Sequence, residues 1–208
     1  MQIAEPVEES QFNPDVTLSF GLTCEHIQHA MADFIRFLEI VNGELLDNGI
    51  ERLEEIVQTA AFSGTVSEFM GAHIPLYCDG LVENRFHNGH PDMIPAGEYE
   101  DDSVQYGEKG VEVKASRDPS RWQGHNAEEC WLMVFLIDSN RRRDVFEGIP
   151  EKPFRFLAVY GAQLDMDDWS FSGRSDTSRR TITASVRASG RDKMKQNWIY
   201  EVPELSSE

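Results

Sequence analysis

The spacing of apolar residues changes near Leu81, and the change predicts helices before that point and strands after it. Ile27, Met31, Phe34, Leu38, Val41 and Leu45 recur at helical spacing and predict an amphipathic helix from Cys24 to Leu46, closed by a turn at Asp47-Asn48-Gly49. A second helix is expected from Ile50 to about Phe62, with Leu53, Val57 and Ala60 or Ala61 inward and Gly64 ending it. Thr65-Val66-Ser67-Glu68 reads as a capping box opening a third helix that reaches Tyr77.

Beyond Leu81 the pattern is extended. Leu81 to Phe86 predicts a short strand, His87-Asn88-Gly89 a turn, and Pro91 to Ile94 the start of the next strand. An acidic excursion from Pro95 to Gly107 holds Glu98, Glu100, Asp101 and Asp102, after which Val111 to Ala115 returns as a strand. Cys130 to Ile137 is almost wholly apolar, as expected of a central strand buried on both faces. Phe154 to Leu164 is a further strand, and Thr181 to Arg187 alternates like an edge strand. The expected fold is α+β with an α/β-type core: a mixed central sheet flanked by helices, with an N-terminal helical layer. The 208 residues suit a single domain: 1–79 mainly helical, 80–165 the sheet, 166–208 a basic C-terminal part. The first 20 residues or so are polar and proline-punctuated, an arm or a tail.

Charge bears on the choice of partner. The formal net charge is −18, and the 19 basic residues are 14 Arg and only 5 Lys against 37 Asp and Glu. An acidic, lysine-poor surface suits a protein kept soluble in concentrated salt, where repulsion is screened. The sum argues against a nucleic-acid partner, but its distribution does not. Arg174, Arg179, Arg180, Arg187, Arg191, Lys193 and Lys195 face only Asp176 and Asp192 in one segment, a basic strip on an acidic body. Cys24, Cys78 and Cys130 are odd in number and widely spaced, which predicts three buried thiols rather than a disulfide framework or zinc ribbon. With an acidic N-terminus and no apolar run of membrane length, a cytoplasmic protein without membrane contact is expected.

The residues that carry chemistry are Pro91-Asp92 and, after nineteen intervening residues, Glu112-Val113-Lys114. A strand has a period of two, so Glu112 and Lys114 share one face while Val111 and Val113 point into the core. A hairpin would bring Asp92 alongside. Two carboxylates can hold a divalent cation, and the ammonium can touch a phosphate or the attacking water. A plain salt-bridged Glu-Lys pair on a surface strand is the competing reading. Asp101 or Asp102 is an alternative first carboxylate, and Glu68 or Glu83 a possible extra one.

In these residues, with the buried strand that follows, the stretch from about 65 to 140 resembles the PD-(D/E)XK nuclease superfamily, restriction endonucleases included. The resemblance implies a Mg²⁺-dependent DNA endonuclease, of type II restriction kind, with Mn²⁺ as a possible substitute. Asp92, Glu112 and Lys114 would be catalytic, and Asp92, Glu112 and the Val113 carbonyl would hold the metal. It also implies double-stranded DNA as partner, a homodimer for cutting both strands, and a cognate DNA methyltransferase in the same system. A repair or recombination nuclease, or a non-catalytic DNA-binding protein on the same fold, are the alternatives. Gln123, His125 and Asn126 are candidate contacts to a phosphate or base edge, and Trp122 either stacks a base or packs. Arg187 and Arg191, flanking a hairpin-like Ala188-Ser189-Gly190, are candidates for a groove. His87-Asn88-Gly89-His90 lacks the helix that an HNH nuclease needs after it, and His73, Cys78, His87 and His90 match no closed zinc site. No Gly-rich phosphate loop and no Gly-x-Ser-x-Gly elbow occurs.

Overall fold

The computed structural model describes residues 2–124, 129–171 and 184–205. Helices come first. α1 (Cys24–Asp47) starts at Thr23, whose hydroxyl accepts from the His26 N–H, and it buries Ile27, Met31, Phe34 and Leu38. The expected second helix is broken: α2 (Leu53–Ile56) stops at the extended Val57, and α3 (Thr59–His73) begins after Gln58. Gly64 does not end a helix, and the Thr65 capping box does not form. The Thr65 hydroxyl instead donates to the Ala61 carbonyl at 3.0 Å and the Ser67 hydroxyl to the Ser63 carbonyl at 3.1 Å, so both bond back into α3.

The strands follow as β1 (Leu81–Glu83), β2 (Met93–Pro95), β3 (Val111–Ser116), β4 (Gln123–Gly124) and β5 (Trp131–Asp138). Then come α4 (Arg142–Phe146), β6 (Arg155–Gln163), β7 (Trp169–Phe171), β8 (Ala184–Val186), α5 (Ala188–Gln196) and β9 (Trp198–Glu201). Six strands form a mixed sheet in the order β1-β2-β3-β5-β6-β9, in which only β3 and β5 run parallel. Three more form a small antiparallel sheet, β4-β8-β7. The fold is α+β, as its pattern predicts.

The large sheet is buried on both sides. Val111, Val113, Met133 and Phe135 join the cluster under α1 and α3, where the Phe34 ring meets Phe62, Phe69, Phe154 and Phe156. Leu132, Val134 and Leu136 project from the other face into a second cluster with Trp122, Tyr160, Trp169 and Met194. Trp122 therefore packs, stacked on Tyr160 with ring centroids 5.5 Å apart.

Three further expectations change. Residues 184–186 form the middle strand of the small sheet, not an edge strand, because Ala184 and Val186 are needed in the second cluster; residues 181–183 lie outside the described set. Ala188-Ser189-Gly190 opens α5 and is no hairpin, with Gly190 packed so closely that an added Cβ would meet Asp168 and Val186. Cys78 and Cys130 are buried thiols, but Cys24 is only half-buried. The arm is ordered, with Ala4 bridging to Phe154 and Phe12 to Tyr200. Among the described residues no helix is long and apolar enough to cross a membrane.

Candidate active site

β2 and β3 meet at a single pair, Met93 opposite Val111. Gly110 makes that approach possible: its φ is +142° and a Cβ there would collide with the Met93 carbonyl. β2 begins only at Met93, so among the described residues no strand lies beside the edge of β3 from Glu112 onward on this side. The Asp92 carboxylate takes that place. Its Oδ2 accepts the Val113 N–H at 2.7 Å, as a ladder carbonyl would. The N–H and C=O of one strand residue share an edge, so the Val113 carbonyl faces the same side as Asp92. Gly71 of α3 lies against Asp92, whose Cβ would be in ordinary contact, at 3.6 Å, with a Cβ added there.

Glu112 and Lys114 share a face, as their spacing requires, and pair with each other. The second Glu112 oxygen meets His90 Nδ1 at 2.8 Å. Burial alone would push the Glu112 carboxyl up, but the His90 hydrogen bond and the Lys114 ammonium outweigh it and hold it down at about 2. Asp92 goes the other way. Burial first, then the Glu112 charge, raise it to about 7, with Lys114 and the Val113 N–H only partly offsetting them. One carboxylate is fixed as the anion, and its neighbour is poised between acid and anion near neutral pH. The neutral acid at Asp92 favours the folded state. That stabilisation is complete below the ordinary 3.8 and is lost as pH rises through about 7.

The cluster opens on a cleft. A cavity of about 520 Å³ is lined by Asp92, Glu68, Glu83 and the loop from Asn84 to Gly89. A second, of about 480 Å³, is lined by Lys114, Arg121 and Gln123, and shares Ser67 and Glu68 with the first. Glu68 is also close enough to raise Asp92 electrostatically, and Glu83 lines the same cavity, so both of the possible extra carboxylates lie at the site. Asp101 and Asp102 sit in a separate 3₁₀ turn, with Asp102 3.9 Å from Arg85. Of the candidate DNA contacts, Gln123 is exposed in the cleft beside Lys114, while His125 and Asn126 lie outside the described residues. Arg187 and Arg191 stand at the start of α5, away from these cavities: Arg191 donates to the Val186 carbonyl at 2.5 Å and the exposed Arg187 to that of Asp167 at 3.5 Å. In the basic strip the exposed Lys193 pairs with Asp165 and Asp168, and Arg174, Arg179 and Arg180 lie outside the described residues.

His90 is the site residue that sequence reasoning missed, having met it only in two groupings that it set aside. These were His87-Asn88-Gly89-His90 and the zinc grouping; the position of His90 two residues before Asp92 is the signal that it sits beside the same strand edge. The zinc grouping disperses, since His73 pairs with Asp33 and Cys78 with the Phe20 carbonyl.

Among the described residues no three of His, Cys, Asp and Glu gather as a metal cluster. The donor set suits a cation that keeps most of its waters. Mg²⁺ binds through one or two carboxylates in this way, and two mutually repelling carboxylates beside a strand carbonyl are such donors. Both Glu112 oxygens are engaged, so a cation there would displace a contact. Lys114, whose side chain is 30% exposed, is the contact on the solvent side. Comparison of the chain with protein-family models, curated proteins and solved structures gives no match.

Proposed function

We propose that this protein is a divalent-metal-dependent DNA endonuclease, a phosphodiester hydrolase of restriction type. One observation carries the reading: two neighbouring, largely buried carboxylates, Asp92 and Glu112, stand with Lys114 at an open strand edge facing a cleft. Evolution toward stability alone would not keep an acid buried against a like charge. Asp92, Glu112 and the Val113 carbonyl are the groups that would hold Mg²⁺ or Mn²⁺. A cation bound there supplies Lewis acidity toward a phosphate oxygen and acidifies water. Asp92 gives up its proton to become a ligand. Lys114 orients the attacking water or stabilises charge growing on the phosphate oxygens. Water adds to phosphorus, the bond to O3′ breaks, and the leaving oxygen takes a proton, giving a 5′-phosphate and a 3′-hydroxyl.

Cutting both strands of a duplex calls for two such sites, hence a homodimer. The engagement of both Glu112 oxygens favours one second reading, a DNA-binding protein in which the cluster only holds the strand edge. Incubation with long double-stranded DNA and Mg²⁺ separates them. The nuclease yields fragments with 5′-phosphate ends and none in EDTA; intact DNA after prolonged incubation contradicts it.

A further inference from the structure

The cleft does not end at Lys114. Its second cavity shares Ala60, Ser63, Ala115 and Ser116 with a third, of about 610 Å³, which is lined further by Thr59, Arg117 and Arg141. α3 floors all three, because Thr59, Ser63, Ser67 and Gly71 recur every four residues along one of its faces. Twelve residues of helix span about 18 Å. Their side chains are small, leaving room for an extended polymer along the whole groove.

The two ends of this groove differ in charge. Glu68, Glu83 and Asp92 line the first cavity, while Arg117 and Arg141 line the third. Among the described residues, neither arginine has a carboxylate within ion-pair distance. The acidic residue lining the third cavity, Asp118, is already engaged by Ser120 and, at 3.6 Å, by Arg121. Arg117 donates to the Ser139 carbonyl at 2.6 Å and to the Ser139 hydroxyl at 2.7 Å, and its guanidinium lies over the Phe62 ring at 5.2 Å. Its Nε is buried and finds no hydrogen-bond partner among the described residues. Burial first, and then the Arg141 charge, hold this guanidinium down at about 10. In a chain of net charge −18, two neighbouring guanidiniums with no carboxylate in ion-pair contact, and only the longer-range pull of Asp138, Glu54 and Asp144 on Arg117, are a cost that an anionic ligand would offset. Guanidinium geometry fits phosphate oxygens.

We propose that Arg117 and Arg141 form a phosphate subsite, gripping a backbone phosphate of the same DNA strand whose scissile phosphodiester lies at Asp92, Glu112 and Lys114. The identity of the strand rests on the nuclease reading. The length of the groove along α3 places the gripped phosphate within about five nucleotide steps of the cut, at ~3.4 Å per step. The subsite thereby fixes register and strand polarity rather than contributing to the chemistry.

The test is equilibrium binding of a labelled DNA duplex in Ca²⁺ across a salt series. Arg141 is exposed, so Arg141→Ala is expected to fold, to bind about fivefold more weakly at low salt, and to lower the slope of log affinity against log salt by about one. Arg141→Lys should restore the slope. Cleavage at subsaturating DNA in Mg²⁺ should fall in step with the weaker binding. The Arg117 Nε–H resonance should shift on addition of the duplex and, more weakly, of inorganic phosphate. An unchanged affinity and slope in Arg141→Ala, with the Arg117 resonance unmoved, overturns the subsite, while continued cleavage leaves the nuclease reading standing. A slope that falls in a protein that never cleaves keeps the subsite and removes the nuclease reading. A shift with inorganic phosphate but no binding of DNA overturns the assignment to a strand.

Discussion

Lys114→Ala is expected to slow DNA cleavage in Mg²⁺ by at least about a hundredfold, the scale seen when one preorganised donor to a developing anion is removed. Binding of the same duplex in Ca²⁺ should be nearly unchanged, since one ammonium at the cut contributes little to a grip spread over the groove. The fold should survive. Lys114 is partly exposed, and Glu112 keeps its His90 partner when the ammonium goes. Single-turnover cleavage and gel-shift titration on one preparation separate the two effects. Retained cleavage would take Lys114 out of the mechanism; lost binding would make it a DNA contact instead.

The largest stability effect should fall far from this site, at Arg52. Its side chain is fully buried and bonded to Glu55 at 3.0 Å, to Asn140 at 3.0 Å and to the Lys152 carbonyl at 2.9 Å. Glu54 lies 3.7 Å from its Nε and takes a hydrogen bond from Asn42 of α1 at 2.9 Å. Asn42 also caps the Leu53 N–H at 2.8 Å. One buried cation thus ties α1 and α2 to the segments between β5 and β6. Arg52→Ala strands two buried carboxylates, and breaking a buried ion pair costs about 3–5 kcal/mol. Urea unfolding at neutral pH should show that loss, and one below about 1 kcal/mol would mean that water or relaxation compensates the charges.

Periodicity made α1, the central β5 and the alternation of β3 legible, because burial of one face or of both leaves a direct trace in residue order. The pair Glu112 and Lys114 was legible for the same reason. The break at Val57 was not. Leu53, Val57 and Ala60 keep helical spacing across it, and only the contacts of the Arg52 network show why α2 stops after one turn. Thr65 and Glu68 have the spacing of a capping box yet sit inside α3, since a hydroxyl that bonds back to its own helix looks the same in sequence as one that caps. The contact of Asp92 with the Val113 N–H depends on β2 beginning only at Met93, and no local signal announces that. Nor could the charge strip near the C-terminus be told from one consumed internally: Lys193 is paired by Asp165 and Asp168, residues about twenty-five positions away.

Binding of Mn²⁺ to the protein without DNA, followed by its paramagnetic signal over a pH series, bears most directly on whether the carboxylates at β3 hold a cation. One site should be seen, with affinity rising about tenfold per pH unit up to about 7, where Asp92 gives up its proton, and levelling above it. Asp92→Asn should abolish that site while leaving the fold intact. Absence of binding, or an affinity that ignores both pH and the Asp92→Asn change, would contradict the account.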